Sequence, residues 1–448
     1  MSRRTQLGTG TLTALVVGNM IGAGVFTTSG FALAELGSPA RVLWAWAVGG
    51  AVALCGALGY GALARRLPLS GGEYLYLSRN IHPLVGFVAG WISLLAGFTA
   101  AISFAAFTLA AYVLPEGVAR GGPLAGAIAS GVIVLSALLH GLGLRVGAGA
   151  QNAAVAVKLV AILAFVLFAL LAQGGPSSWR GIVEGTQGTL EIPPFSIGAF
   201  ASSVMWISFS YSGFNAAVYI AGEVPGAATR VPRALVAGTV TTIGVYLVLN
   251  TVFVLVPPFD AVAGREDVAA AAARELGGEP LVDAVRMIAV LALFTSVSAM
   301  TMAGPRVYAK MADDGLMPRM LRFEGETPAA AVAVQAALAV VVVWITGLRE
   351  LLSYLGFTLS LSAALTVASL LFVARRERRA GARVIDFPGY PWAPLVFVAA
   401  TLLFAALAAR SQPVEIVAAL FTIASGAALY VVAARRAKTS PRSTKGLQ

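Results

Sequence analysis

Lys158 stands inside the apolar run AAVAVKLVAILA at residues 153–164. An ionised lysine at mid-depth in a membrane helix costs several kcal/mol and is functional by default. Within a helix over 148–172 it lies about ten positions, roughly 15 Å, from the nearer end, too far for its stem to carry the ammonium easily to the interface. Snorkelling is the competing reading. A compact ammonium in such a place supplies either a fixed cation or a proton that leaves near neutral pH. Two glycine-bearing stretches offer complementary chemistry: GNMIGAGVF at 18–26 and SFSYSGFN at 208–215. Where glycine lets a helix break, one half presents free N–H groups and the other free carbonyls. Such a break can hold an anion and a cation together.

The elements that carry these residues follow from composition. The chain is 58% hydrophobic and 11% charged, with mean hydropathy +0.84, against about 25% charged residues in soluble domains. A water-soluble protein is excluded. Its 49 glycines suit membrane helices that pack backbone to backbone. Cys55 is the one cysteine, so no internal disulfide can form. Apolar stretches predict twelve spans at about 9–34, 41–63, 81–114, 123–143, 148–172, 196–222, 232–257, 285–312, 328–347, 350–374, 392–411 and 413–434. The fold class expected is therefore all-α and integral to the membrane. The loop 258–284 holds an amphipathic stretch, 265–276, expected to form a short surface helix.

The net charge of +11 does not point to nucleic acid, because the basic residues fall in clusters between spans. Arg65, Arg66, the run from Arg375 to Arg379 and the tail from Arg435 all fall on the side of the N-terminus. The positive-inside rule then predicts both termini in the cytoplasm of a plasma membrane. No removable signal peptide is expected at the N-terminus. The Gly- and Pro-bearing loop 174–194 separates five spans from the next five, and the two broken stretches occupy the first span of each group. Paired interruptions of this kind point to an inverted-repeat carrier with its site at the bilayer midplane. Either glycine motif alone would more simply be a packing device. The division expected is 1–174 for the first repeat, 175–384 for the second, and 385–448 for two further spans and a tail.

At these residues the chain resembles the amino acid–polyamine–organocation superfamily, in particular bacterial amino acid permeases and the prokaryotic relatives of cationic amino acid transporters. The supporting segments are 18–26, LSGGEY at 69–74, SYSGFN at 210–215, GEVP at 222–225, VPR at 231–233, GPRV at 304–307 and Asp314-Gly315. The resemblance implies a LeuT-type fold of five plus five inverted spans followed by two more. Its implied function is secondary transport of L-amino acids by alternating access. The substrate carboxylate would meet the half-helix N-terminus at Ile21, Gly22, Ala23, Gly24 and Val25. Carbonyls near Phe209 and Ser210 would accept its ammonium, and Gly213 would permit the second break. Phe209 is either an aromatic lid or a packing residue.

In sodium-coupled members a cation lies between the first and eighth spans. Here the carbonyls of Gly18 and Ile21 and the hydroxyl of Ser298 fall at those positions, and the Lys158 ammonium could fill the cage. That implies sodium-independent, proton-coupled transport, with exchange or polyamine transport as alternatives. Asn215 stands where several relatives carry an acid, which favours neutral substrates. Glu223 and Arg233 form either a gate pair or ordinary interfacial charges. Glu73 and Tyr74 read as structural, and His82 and His140 as interfacial.

Other classes lack their signatures. No HExxH, GxSxG or paired membrane aspartates suggest a membrane-embedded enzyme, no carbonyl-filter sequence suggests a channel, and no Walker A motif couples transport to ATP. The expected partners are a small-molecule amino acid, the proton and the lipid bilayer. No cofactor, metal or nucleic acid is expected.

Overall fold

The computed structural model describes residues 8–115, 118, 122–141, 148–172, 194–322, 328–379, 381 and 387–439, and these are helical with no strand among them. The first expected span is two helices, α1 (Thr9–Met20) and α2 (Ala23–Leu36), bent 43° apart. Gly37 closes α2 in the left-handed region, φ 64°, and Pro39 opens α3 (Pro39–Arg66), the expected residues for a stop and a start. A short α4 (Gly72–Asn80) precedes α5 (Pro83–Val113). The latter begins at Pro83 with His82 as its cap, the imidazole accepting from the Leu84 amide at 3.1 Å, and runs as a π-helix over Ser93–Ala100.

There follow α6 (Pro123–Gly141), α7 (Ala148–Ala172) and α8 (Ile197–Ser210), then a 3-10 segment, Ala216–Glu223. The remainder comprises α9 (Ala227–Leu255), α10 (Val268–Asp313), α11 (Ala329–Ile345), α12 (Leu348–Arg379), α13 (Trp392–Ala408) and α14 (Pro413–Thr439). A helix stands at each expected span. Among the described residues seven of them are long and apolar enough to cross a bilayer, the bent α1–α2 pair makes an eighth, and four shorter apolar helices occupy the other positions. The loop read as a repeat boundary, 174–194, lies almost wholly outside the described residues.

Two features differ from expectation. The stretch expected as a surface helix joins the eighth span in α10, interrupted only at Gly277 and Gly278, the latter at φ 64°. It also sits inside the protein, with Val268 to Ala273 buried. The reason is backbone fit: the Gly264 amide donates to the Gly30 carbonyl at 2.8 Å, the Thr27 hydroxyl to the Glu266 carbonyl at 3.1 Å, and the Ala269 amide to the Tyr112 hydroxyl at 3.3 Å. A side chain at Gly30 would strike the Arg265 carbonyl. The loop is thus seated on α2 and α5, where amphipathicity alone suggested an outer surface.

The interior is where α1, α2, α3, α8 and α9 meet. Trp46, Trp206, Tyr211 and Tyr246 are fully enclosed there, and the rings of Trp46, Tyr211 and Tyr246 pack edge-on or tilted with centroids 5.1 to 5.6 Å apart. The outer helices present large apolar side chains outward, among them Val417, Leu420 and Phe421 of α14. That is the pattern of a bundle solvated by lipid.

Candidate functional site

The first break is made at two residues. Ile21 leaves the helical region at ψ 87° and Gly22 is extended at φ −128°, ψ −153°. No side chain caps the start of α2, so the amides of Ala23, Gly24 and Val25 point into the break with the positive end of the α2 dipole. The second break follows Ser210: Tyr211 to Asn215 form turns, with Gly213 at φ 96°. Only glycine adopts that dihedral freely. The two breaks lie against each other, since a Cβ at Gly213 would come within 3.1 Å of the Asn19 carbonyl oxygen. The hydroxyls of Thr28 and Ser210 join them at 2.9 Å.

Glycines within the cradle differ in kind. A Cβ at Gly24 would meet Ser210 Oγ at 2.4 Å and Ser210 Cα at 2.7 Å, whereas one at Gly22 would find its nearest neighbour, Ser296 Oγ, at 3.8 Å. Gly24 therefore lets α2 and α8 touch, and the space beside the break belongs to Gly22. Ile21, Ala23, Gly24 and Val25 are buried while Gly22 is half-buried, consistent with that division.

Lys158 reaches the break from α7. It is 2% exposed, although Val157, Val160 and Leu163 on the same helix are 54%, 66% and 57% exposed. The ammonium therefore points inward and does not snorkel. It donates to the Ile21 carbonyl at 2.7 Å and the Gly18 carbonyl at 3.1 Å, which are free because α1 ends there. Ser298, expected in the same cage, directs its hydroxyl instead to His140 Nε2 at 2.8 Å. The helical turn places it toward α6, so the hydroxyl faces His140, read from sequence as merely interfacial.

The remaining carbonyls of the breaks have partners within the protein. Tyr246 of α9 sets its hydroxyl 2.5 Å from the Met20 carbonyl and 3.0 Å from the Ser210 carbonyl, spanning both breaks with one phenol. The Phe209 carbonyl accepts from the Ser212 amide at 2.9 Å. Each carbonyl oxygen keeps a second lone pair. Behind Tyr246, Asn250 donates to the Tyr246 carbonyl at 2.7 Å and accepts from the Ser29 hydroxyl, which in turn accepts from Trp46 Nε1 at 2.9 Å. The Phe209 ring is half-buried and packs edge-on against Phe104 of α5 at 5.2 Å.

Tyr246, Thr28 and Asn250 were not singled out from sequence. The available signal was a polar atom within a buried run of α2 and two within one of α9, much weaker than a charge. Glu223 and Arg233 are both exposed and form no ion pair with each other. Among the described residues no group of His, Cys, Asp and Glu is arranged to hold a metal ion.

A sequence profile described as amino acid permease matches residues 7–434. The mouse b(0,+)-type amino acid transporter 1 is 25% identical over 93% of this chain and 85% of its own length. The serine/threonine exchanger SteT of Bacillus subtilis is 24% identical, with 86% of each chain covered. An uncharacterized transporter of Mycobacterium bovis is 28% identical over 84% of this chain and 82% of its own.

Proposed function

Because the chain belongs to the amino acid permease family of the amino acid–polyamine–organocation superfamily, we propose that it carries L-amino acids by alternating access, with its substrate site at the two facing helix breaks. The observation that carries this reading is the contact of Gly213 with the Asn19 carbonyl and of Gly24 with Ser210. Two half-helix ends of opposite polarity are thereby brought to one point, as a zwitterion requires. The carboxylate lies at Gly22 and the amides of Ala23, Gly24 and Val25. The ammonium takes the free lone pairs at Phe209 and Ser210, and the Phe209 ring closes over the bound molecule.

The second part of the proposal concerns coupling. The Lys158 ammonium stands where a metal ion would bridge Gly18 and Ile21, so transport needs no sodium and is driven by a proton that Lys158 carries. In this reading the chain has twelve spans in a plasma membrane, both termini are cytoplasmic, and residues 1–174 and 175–384 are inverted repeats preceding 385–448. Asn215 in place of an acid supports neutral substrates. A second reading, obligatory exchange of one amino acid for another, is favoured by the similarity to the Bacillus subtilis exchanger.

Purified protein in proteoliposomes tests both. Uptake of a radiolabelled neutral L-amino acid is expected without sodium, accelerated by an inward proton gradient. Uptake that needs a lumenal amino acid, whatever the gradient, would establish exchange. An absolute sodium requirement at every pH would remove the lysine-for-metal proposal.

A further inference from the structure

The function proposed for the helix breaks leaves a buried acid of α4 unused. Glu73 lies in the first turn of α4 and is almost fully enclosed. Its Oε1 is bonded to the Tyr60 hydroxyl of α3 and accepts from Asn215 Nδ2 at 3.3 Å, while Oε2 accepts from the Ser362 hydroxyl of α12 at 3.2 Å. Three transmembrane elements thus converge on one carboxyl group. Tyr219 of the 3-10 segment is the other titratable group facing it, and Tyr76 of α4 packs its ring against Tyr60. Among the described residues no lysine, arginine or histidine forms an ion pair with it: Arg79 is exposed and Arg66 pairs with Glu377.

The surroundings mark this as a movable contact. The stretch from Ser70 into the first turn of α4 grips the distal half of the broken sixth span, Asn215 to Gly222, at three successive points. The Gly222 amide donates to Ser70 Oγ at 3.1 Å, the Tyr219 ring lies against Gly72, whose φ of 54° and lack of Cβ allow the approach, and Asn215 meets Glu73. At its other end α4 is bonded to α12, Asn80 Nδ2 donating to Ser369 Oγ at 3.0 Å. In the topology proposed above this is the cytoplasmic half of the sixth span, the part that must leave α4 and α12 for a substrate to exit inward.

We infer that Glu73 is a proton-operated latch on the cytoplasmic gate: protonated, it holds the sixth span against α4 and α12, and loss of its proton to cytoplasmic water releases them. The inference rests on the transport function proposed above. Tyr60, Asn215 and Ser362 all donate to the carboxyl group as it stands; on protonation the carboxyl O–H turns to the Tyr60 oxygen, reversing that one bond, while the other oxygen still accepts from Ser362. Every partner is neutral, so nothing in the pocket compensates a negative charge except hydrogen bonds. Burial pushes the carboxyl up from its ordinary range, and the bonds from Tyr60 and Ser362 offset only part of that.

A carboxyl that binds its proton more tightly in the shut arrangement than in the hydrated, open one favours the shut arrangement at low pH. That preference is lost as pH rises through the shut-state value. Once ionised, the group is better solvated by water entering from the cytoplasm than by three neutral donors.

The latch predicts a pH profile that belongs to one face of the membrane. In proteoliposomes of defined orientation, wild-type exchange of a labelled neutral amino acid should accelerate as the pH on the cytoplasmic face rises. Glu73→Gln, a permanent mimic of the protonated form, should be slow and flat across the same range. Ser362→Ala removes a donor that favours the ion and should move the wild-type midpoint upward by about one pH unit. It also serves should Glu73→Gln fail to fold. A second readout needs no transport: infrared titration of the purified protein should show a protonated-carboxyl band that is lost as pH rises and is missing from Glu73→Gln. A wild-type pH profile in Glu73→Gln, an unmoved midpoint in Ser362→Ala, or a band unchanged by Glu73→Gln would each overturn the latch. If wild-type protein carried no amino acid at all, the transport function would fail, while the infrared titration would still judge Glu73.

Discussion

Removing the Lys158 amine should separate binding from the driven transport proposed above. Lys158 donates two hydrogen bonds, at 2.7 and 3.1 Å, to carbonyls at the C-terminal end of α1, where the dipole also favours a cation. A net hydrogen bond to a charged group is worth about 1.5–3 kcal/mol, and partners available within the membrane reduce such values. The low end gives about 3 kcal/mol for the pair, roughly a hundredfold in the equilibrium between arrangements with and without these bonds. Lys158→Ala leaves both carbonyls unmatched beside a space that a methyl cannot fill. Accumulation against a gradient should therefore vanish. Substrate binding should persist in weakened form, because the carboxylate and ammonium contacts proposed above lie on the breaks and not on α7. Scintillation proximity binding set against uptake into proteoliposomes measures the two separately. Lys158→Arg should not restore accumulation, since a guanidinium keeps its proton and its planar fork does not fit a cage for a compact ammonium. Concentrative uptake by Lys158→Ala with wild-type pH dependence would refute the reasoning.

Other substitutions divide the site by role. Gly22→Ala should fold normally yet bind substrate more weakly, because its Cβ fits beside the break in ordinary contact with Ser296 Oγ at 3.8 Å, whereas Gly24→Ala should lower thermal stability through collision with the Ser210 backbone. Thermal unfolding and ligand-binding assays on both variants test this contrast, and equal stability would dissolve it. Tyr246→Phe removes the one hydroxyl that reaches both the Met20 and Ser210 carbonyls and should cost about 1–3 kcal/mol of stability, measured by denaturation in detergent. Phe209→Ala should raise the off-rate of bound amino acid more than it lowers stability. An unchanged off-rate would return Phe209 to packing against Phe104.

What could be read in the sequence follows the strength of each physical signal. Spans of apolar residues and a single mid-depth charge are costly to place anywhere else, so the helices and Lys158 were visible at once. The break at Gly22 was visible because two glycine clusters occupy corresponding spans, and α1–α2 bend there. The seating of the 265–276 stretch was not legible. Amphipathicity reports that a helix has an apolar face, but whether lipid, water or protein covers that face depends on backbone contacts such as Gly264 to Gly30. The aim of Ser298 was lost for a similar reason: spacing along a helix fixes the side of a turn only to within a neighbour, and here the neighbour was His140.

Glu73 and Tyr246 expose a further limit, since both act through convergence. A glutamate in a loop and a tyrosine in an apolar run are each ordinary alone. Their meaning comes from Tyr60, Asn215 and Ser362 in one case and from Met20 and Ser210 in the other, residues separated in the chain by as many as 289 positions. The structure also changes how the binding step must be understood. Here the carbonyls expected for a substrate ammonium already accept from Ser212 and Tyr246. An incoming ammonium must therefore share or displace those bonds, and it gains only the difference. The proposed site would discriminate by what the substrate adds to both breaks at once: a carboxylate for the open N–H groups of α2 and a cation strong enough to compete with a phenol. A molecule with only one of the two groups leaves the other break unchanged and has little power to shift the equilibrium between arrangements. The expected outcome is that amino acids lacking either the free α-carboxylate or the free α-ammonium do not stimulate counterflow, even where they bind measurably. Equal stimulation by an amino acid amide or an N-acetylated amino acid would show that the two breaks do not act together.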